Sequence, residues 1–353
     1  MPNRRQFFRT VAGATAGMYV VGRGFTASAR QAPPARRQAM VGGRRVRVID
    51  VHCHWDMPVP ASIVQGTPFE ERVKGPGIEE RLAIMDTLGI DADVISVNDF
   101  WWWDITDRGL ARAICDHHNQ TLAKAARDYP GRLYGMASVP LQFPDLAVEM
   151  LRAAVANGAR GVTVGGHVGG ENLSAPRFDP FWAAAAEMGE LVFMHPNGSA
   201  NIIKEGGLAG RGGLGNIVGN PLETTVFLSR LIFDGTFDKF PTLKVCGAHG
   251  GGFLPSYLGR TEVACQRPGQ TCIIKKKPSE YLRSNILADT MVFSEEGLRH
   301  LVAEMGVGQV VFGTDVPFNW PVTIDLVVNS KSLSNADKEA ILGGTLTRLL
   351  RLT

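Results

Sequence analysis

The sequence predicts an α/β protein built as a single closed (β/α)₈ TIM-type barrel, and three observations predict it. From Val46 onward, short β-branched runs alternate with longer helical patterns, the signature of a parallel sheet rather than of an α+β chain. About eight such units fit the remaining chain, the number that closes one barrel. No Gly-x-Gly-x-x-Gly turn follows the first run, which leaves a doubly wound open sheet as the lesser alternative. With 353 residues, 44% hydrophobic and 20% charged, collagen, coiled coil and wholesale disorder are excluded.

In chain order, the expected strands are Val46 to Val51, Ala92 to Val97, Leu133 to Val139, Gly161 to Val164, Leu191 to Met194, Leu243 to Ala248, Asn285 to Ala288 and Gln309 to Phe312. Between them, Gly109 to Asp128 and Pro144 to Asn157 carry apolar residues at helical spacing, and Phe178 to Met188 is alanine-rich. Two connections, Trp55 to Gly75 and Asn197 to Pro221, are long, rich in glycine or proline, and follow strand ends, where barrel enzymes keep their catalytic loops.

The strand ends carry the chemistry. The first ends Val48-Ile49-Asp50-Val51-His52-Cys53-His54. Side chains alternate across a strand, so His52 and His54 share a face and can bind one metal ion together with ligands from other strands. The fifth run stops at His195, the sixth at His249 and the eighth at Asp315. Four apolar runs ending on metal-capable or acid-base residues mark one end of the barrel as the active-site end. Trp101, Trp102 and Trp103 follow the second strand, where aromatic faces either sandwich a flat substrate or cover apolar surface. Gly250, Gly251 and Gly252 after His249 read equally as an anion-accepting backbone and as a plain tight turn.

The formal charge of +3 comes from the N-terminus. Residues 1–29 hold Arg4, Arg5, Arg9 and Arg23 without an acid, and residues 30–47 add six arginines without an acid, so the remainder stands at −7. An acidic body has no general attraction for nucleic acid or anionic lipid. Paired Arg4-Arg5 before Phe7-Phe8, an Ala/Gly/Val-rich stretch and Ala27-Ser28-Ala29 resemble a twin-arginine signal, so residues 1–29 are expected to direct export to the periplasm and be removed, with no stable membrane association afterwards. Residues 30–44 read as a linker and 45–353 as the barrel. Of five cysteines, Cys265 and Cys272 are close enough to pair, but they read as small buried hydrophobes.

Taken together, Ile49 to His54, His195-Pro196, Gly219-Asn220-Pro221-Leu222-Glu223-Thr224-Thr225, Ala248-His249-Gly250-Gly251-Gly252, Gly259-Arg260 and Gly313-Thr314-Asp315-Val316-Pro317-Phe318 resemble the metal-dependent amidohydrolase superfamily, and within it the aminocarboxymuconate-semialdehyde decarboxylase family. The resemblance implies that His52, His54, His195 and Asp315 hold one divalent ion, usually Zn²⁺ with Mn²⁺ as the alternative, and that His249 is the catalytic acid-base with Asp315 able to accept a proton. It also implies that Arg260 and Arg267 bind substrate carboxylate, that His167 lines the pocket, and that two barrels pair as a homodimer; Trp101 and Trp102, from their place after the second strand, and Asn197 after His195-Pro196 are also expected to bind substrate. Asn197 stands where the aminocarboxymuconate type has tryptophan, and Arg72 and Lys74 are only weak counterparts of its carboxylate-binding arginine.

The expected function is therefore a metal-dependent, non-oxidative decarboxylase acting on a small planar unsaturated or aromatic carboxylic acid. Two alternatives stay open on sequence alone: hydrolysis of a lactone, ester or amide by water activated at the same ion, and a periplasmic binding barrel without turnover. His249 argues against the last, because binding alone does not need it.

Overall fold

The computed structural model describes residues 36–67, 77–97, 101–270 and 272–353, the side chains of Trp101 and Trp102 excepted. The body is Arg36–Thr353; the expected leader, together with Arg72 and Lys74, lies outside the described residues.

Eight parallel strands build the barrel: β1 (Ile49–Trp55), β2 (Ala92–Val97), β3 (Leu133–Gly135), β4 (Val162–Val164), β5 (Leu191–Met194), β6 (Lys244–Gly247), β7 (Ile286–Asp289) and β8 (Val310–Val311). Continuous ladders join β1 to β3 and β4 to β8. Backbone hydrogen bonds close the ring on both sides: Thr163 N–H donates to the Ala137 carbonyl at 3.0 Å, and Val51 and His54 N–H donate to the Phe312 and Val316 carbonyls at 3.1 and 2.8 Å. The closed barrel expected from the alternation is the fold observed.

Helices α1 (Ile78–Leu88), α2 (Arg108–Asp128), α3 (Pro144–Ala156), α4 (Asp179–Met188), α5 (Asn220–Phe233), α6 (Pro278–Leu282), α7 (Glu295–Met305) and α8 (Thr345–Leu349) complete the units. Their limits follow from local chemistry. Asp107 caps α2 by accepting the Leu110 N–H at 2.9 Å, Pro144 opens α3 where no N–H is needed, and α4 stops at Gly189 with φ of 66°.

Two apolar cores sandwich the strands. Ile49, Val51, Val94, Leu191, Phe193, Cys246, Leu287 and Val311 pack inside the barrel, where Leu346, Leu350 and Leu352 from α8 and the residues after it join them. These leucines cover the N-terminal end of the barrel, and the C-terminal strand ends are left for chemistry. Outside, Ile95, Val164, Met194, Val245 and Val310 pack against the helices.

β1 changes phase midway. Its ladder with β2 shifts register between Asp50 and Cys53, so three steps along β1 match two along β2. Ile49 and Val51 accordingly point inward, while beyond the shift Cys53 and Trp55 pack outward, and His52 and His54 take the inner face. Such a surplus residue re-aims side chains beside active sites. Asp50 holds the bulge, accepting the His52 N–H at 2.9 Å and the Thr314 N–H at 3.2 Å.

Two expectations need correction. Within residues 30–44, read as linker, Ala39–Val41 pairs antiparallel with Arg44–Val46, because Ala39 and Val41 are buried and Arg36 and Arg45 reach Asp91 at 2.8 and 2.7 Å. This pair thus belongs to the body rather than to a linker. Cys265 and Cys272, read as buried hydrophobes, form a disulfide with Cα atoms 5.6 Å apart, since their loop is half-exposed and offers no apolar cover for a thiol. Cys53, Cys115 and Cys246 are buried and unpaired. Among the described residues, no helix is long and apolar enough to cross a membrane.

Candidate metal centre

His52 and His54 enter from β1, His195 directly after β5, His249 two residues past the end of β6 and Asp315 after β8, all at one end of the barrel. Asp315 is the hub. Its Oδ1 lies 3.2 Å from His52 Nε2, 3.2 Å from His54 Nε2 and 3.8 Å from His195 Nε2, and its Oδ2 lies 3.6 Å from His249 Nε2. Ligand atoms of His52, His195, His249 and Asp315 all fall within 4.8 Å of one another. The five residues expected from the sequence converge.

Whether this set fits a divalent ion is decided by four atoms. His52 Nε2, His54 Nε2, His195 Nε2 and Asp315 Oδ1 are buried and find no hydrogen-bond partner. Each such atom left unsatisfied costs about 1–3 kcal/mol, and only a cation meets three imidazole lone pairs and a carboxylate oxygen at once. Three imidazoles and a carboxylate suit zinc or manganese, and a five- or six-coordinate ion held by these four would keep a position for substrate.

The surroundings fix the tautomers. His52 Nδ1 donates to the Asp289 carboxylate at 2.6 Å. Ser96 Oγ donates to the Cys53 carbonyl at 3.2 Å and so accepts from His54 Nδ1 at 2.8 Å. Both Nε2 atoms therefore turn a lone pair to the centre. Beneath β1, the buried Arg81 guanidinium bonds Asp93 Oδ2 at 2.8 Å and also the His54 carbonyl, anchoring the strand end. Without an ion, burial disfavours the His52 imidazolium, but Asp315 and Asp289 outweigh it and raise this group to about 10; a bound cation would take the place of its Nε2 proton. Burial and then its imidazole neighbours hold His195 well below the ordinary value. The Asp315 carboxyl, although burial opposes it, is held far below the usual range by His52 and the other imidazoles.

Backbone conformation aims His249 and Asp315. Both adopt left-handed φ, 56° and 59°, uncommon for residues with a Cβ and frequent at strained functional positions. Gly250 continues the turn at φ 65°. Its N–H and that of His249 are taken by Asp289, so the glycine run is the tight turn rather than a free anion cradle. A Cβ on Gly252 would sit 2.4 Å from the Pro221 carbonyl oxygen, so this turn presses against α5.

Around the mouth the placements vary. The exposed Phe318 ring lies 5.9 Å from that of His54, and Phe293 stacks on Trp320 at 5.5 Å, giving apolar walls that the sequence reading missed. Trp103 is buried with its indole N–H on the Val139 carbonyl, a structural role; the side chains of Trp101 and Trp102 lie outside the described set. His167 is half-buried and accepts the Gly170 N–H at 3.0 Å; burial lowers its pKa and favours the neutral ring. Asn197 is exposed, its backbone N–H tied to Glu223. Arg260 and Arg267 are exposed, and neither side chain bonds a described residue of its own chain.

Glu223, quoted within a motif but given no role from sequence, joins two pocket loops. Its carboxylate accepts the Gly166 N–H at 3.0 Å, the Asn197 N–H at 3.0 Å and the Gly198 N–H at 2.6 Å. A Cβ on Gly166 would come within 2.5 Å of this side chain. Burial pushes the Glu223 carboxyl up to about 7 against the three N–H donors. The folded state then holds this proton more tightly than the unfolded chain. Its stabilising effect is full below about pH 4.3, declines as pH rises and is lost above about 7. Relative to Glu223→Gln, the wild type is expected to lose on the order of 3 kcal/mol between pH 4.5 and 8. Urea titrations of both proteins at the two pH values measure this, and a pH-independent difference refutes the assignment.

Comparison with known proteins agrees with this geometry. A family profile described as amidohydrolase matches residues 49–352. The 2-amino-3-carboxymuconate-6-semialdehyde decarboxylase of Dictyostelium discoideum is 29% identical over 333 residues, covering 90% of this chain and 82% of its own. The gamma-resorcylate decarboxylase of Rhodococcus jostii (strain RHA1) is 29% identical over 301 residues, 79% of this chain and 89% of its own. Among solved structures, dihydroxybenzoic acid decarboxylase from Polaromonas sp. JS666, with bound manganese and the inhibitor 2-nitroresorcinol, superposes with a TM-score of 0.75 at 25% identity, covering 87% of this chain and 97% of that one.

Proposed function

Because the chain belongs to the amidohydrolase family, we propose that it is a metal-dependent, non-oxidative decarboxylase of a small planar aromatic or unsaturated carboxylic acid. The observation that carries the reading is the divided carboxylate of Asp315. Oδ1 faces three unpartnered imidazole nitrogens and Oδ2 faces His249, so a cation site and a proton-transfer pair share one side chain. Relatives that match most of the chain are named decarboxylases, which favours carbon–carbon cleavage over hydrolysis.

His52, His54, His195 and Asp315 would hold the ion. When bound, a divalent cation supplies Lewis-acid polarisation of substrate oxygens and neutralises the charge of an acidic ligand. The chain's own groups do the rest. Phe318 and the Phe293–Trp320 stack offer faces to a flat ring. A proton held between His249 Nε2 and Asp315 Oδ2 passes to the ring carbon that bears the carboxylate. The bond from that carbon to the carboxyl carbon then breaks, its electron pair restores the conjugated system, and carbon dioxide leaves. Solvent returns one proton to the pair, which balances the conversion of a carboxylate and a proton to the parent ring and carbon dioxide.

The ion in this reading is zinc or manganese. Arg260 and Arg267, exposed and without a partner among the described residues, suit a carboxylate bidentately, and in a homodimer Arg267 serves the neighbouring barrel. Export through the twin-arginine route is part of the same reading, supported by the Cys265–Cys272 disulfide, a bond that persists in oxidising compartments.

The test is a screen of hydroxylated benzoates and aminocarboxymuconate-type acids with metal-reconstituted protein, measuring carbon dioxide together with the residual ring. Stoichiometric carbon dioxide with an intact parent ring is expected. Lactone or ester opening without carbon dioxide overturns the reading in favour of a hydrolase.

A further inference from the structure

Asp289 ends β7 one residue beyond the apolar run, fully buried. Its Oδ2 accepts His52 Nδ1–H at 2.6 Å and the His249 N–H at 2.9 Å, while Oδ1 accepts the Gly250 N–H at 2.8 Å and the Met291 N–H at 3.0 Å. The neighbouring strand is bare here. A Cβ on Gly313 would stand 2.7 Å from the Cβ of His52 and 2.9 Å from that of Asp289, so this glycine gives the pair its space.

The two halves of the contact do different things. The bond to His52 Nδ1 fixes the tautomer whose Nε2 lone pair faces Asp315. The bonds to the His249 and Gly250 N–H groups hold a left-handed turn, with φ of 56° and 65°, a conformation that is unfavourable for His249 because it bears a Cβ. That turn places His249 Nε2 at 3.6 Å from Asp315 Oδ2. We propose that Asp289 is a positioning residue that couples the metal centre to the proton-transfer residue: one carboxylate registers His52 as a ligand and His249 as the partner of Asp315.

Asp289→Asn keeps the shape and replaces one acceptor oxygen with a donor, which cannot serve all four hydrogens. Two effects are expected. Affinity of the metal-free protein for Mn²⁺ or Zn²⁺, titrated in competition with a chromophoric chelator, falls 10–100-fold. With metal saturating, kcat stays at least about 10-fold low and its pH profile shifts, while KM is little changed, because the His249 turn has lost its acceptor. The kcat arm rests on the decarboxylase reading; the chelator titration does not, so failure of either reading shows separately. Unchanged affinity overturns the proposal. Reduced affinity with kcat fully restored by excess metal also overturns it, since Asp289 then serves His52 alone. If the variant does not fold, ¹⁵N-histidine NMR of the metal-loaded wild type decides: a slowly exchanging, low-field Nδ1 proton on His52 is expected, and an Nδ1 without a proton rejects the coupling.

Discussion

Replacing His249 with alanine is expected to lower kcat by about 10³-fold and leave the bound ion in place. The two outcomes follow from separate atoms. The proposed cation ligands are His52 Nε2, His54 Nε2, His195 Nε2 and Asp315 Oδ1, all buried without a partner; His249 Nδ1 is likewise buried without a partner, but the ring's other nitrogen does not face Oδ1. Its Nε2 instead faces the other carboxylate oxygen, Oδ2, at 3.6 Å. Removing the imidazole takes away the group that faces Oδ2, and proton delivery to carbon falls to solvent. Metal analysis and steady-state kinetics on the same preparation check this, and a variant retaining full turnover would sink the assignment. A loss of metal in parallel would instead move His249 into the ligand set, which its ligand-atom separation of at most 4.8 Å from His52, His195 and Asp315 makes a meaningful comparison.

Asp315→Asn should be more damaging, by about 10⁴-fold or more in turnover and accompanied by metal loss, because it removes a ligand and a proton partner together. Asparagine is the informative replacement. It tolerates the left-handed backbone at φ 59° nearly as well as aspartate, so the fold is kept and the effect reports on charge. The neutral amide no longer balances three imidazoles and a cation, nor does it hold a proton opposite His249. Isothermal titration with Mn²⁺ and carbon dioxide release measured side by side separate the two losses. Recovery of wild-type turnover at high Mn²⁺ would show that Asp315 acts only as a ligand.

The barrel and the five central residues were legible because both are written locally. Alternating periodicity marks the units, and an apolar run that stops on His195, His249 or Asp315 marks a strand end. Asp289 was not read as a site residue, because the seventh strand was expected to stop at Ala288, whereas it runs Ile286–Asp289. Strand limits depend on the neighbour's ladder, which local pattern does not contain. Glu223 was illegible for a stronger reason. It sits on α5 and bonds Gly166 and Asn197 across the fold, and no spacing in the chain encodes that meeting. The cysteine pair failed on burial, since exposure of the loop around Cys265 and Cys272 is a property of packing, not of composition.

The surplus residue in β1 bears on how portable this centre is. Before the register shift, Ile49 and Val51 set one phase for the barrel lining, and after it His52 and His54 follow the opposite phase. The shift also leaves the His52 carbonyl free to accept the Asp315 N–H at 2.6 Å, so two of the proposed ligands are stitched together through their backbones. Copying the two histidines, position for position, onto an evenly paired first strand of another barrel would turn both rings toward the helices. The transferable unit is the whole stretch from Asp50 to His54, phase change included, and a design or a lineage that carries the motif without its extra step carries the letters of the site without its orientation.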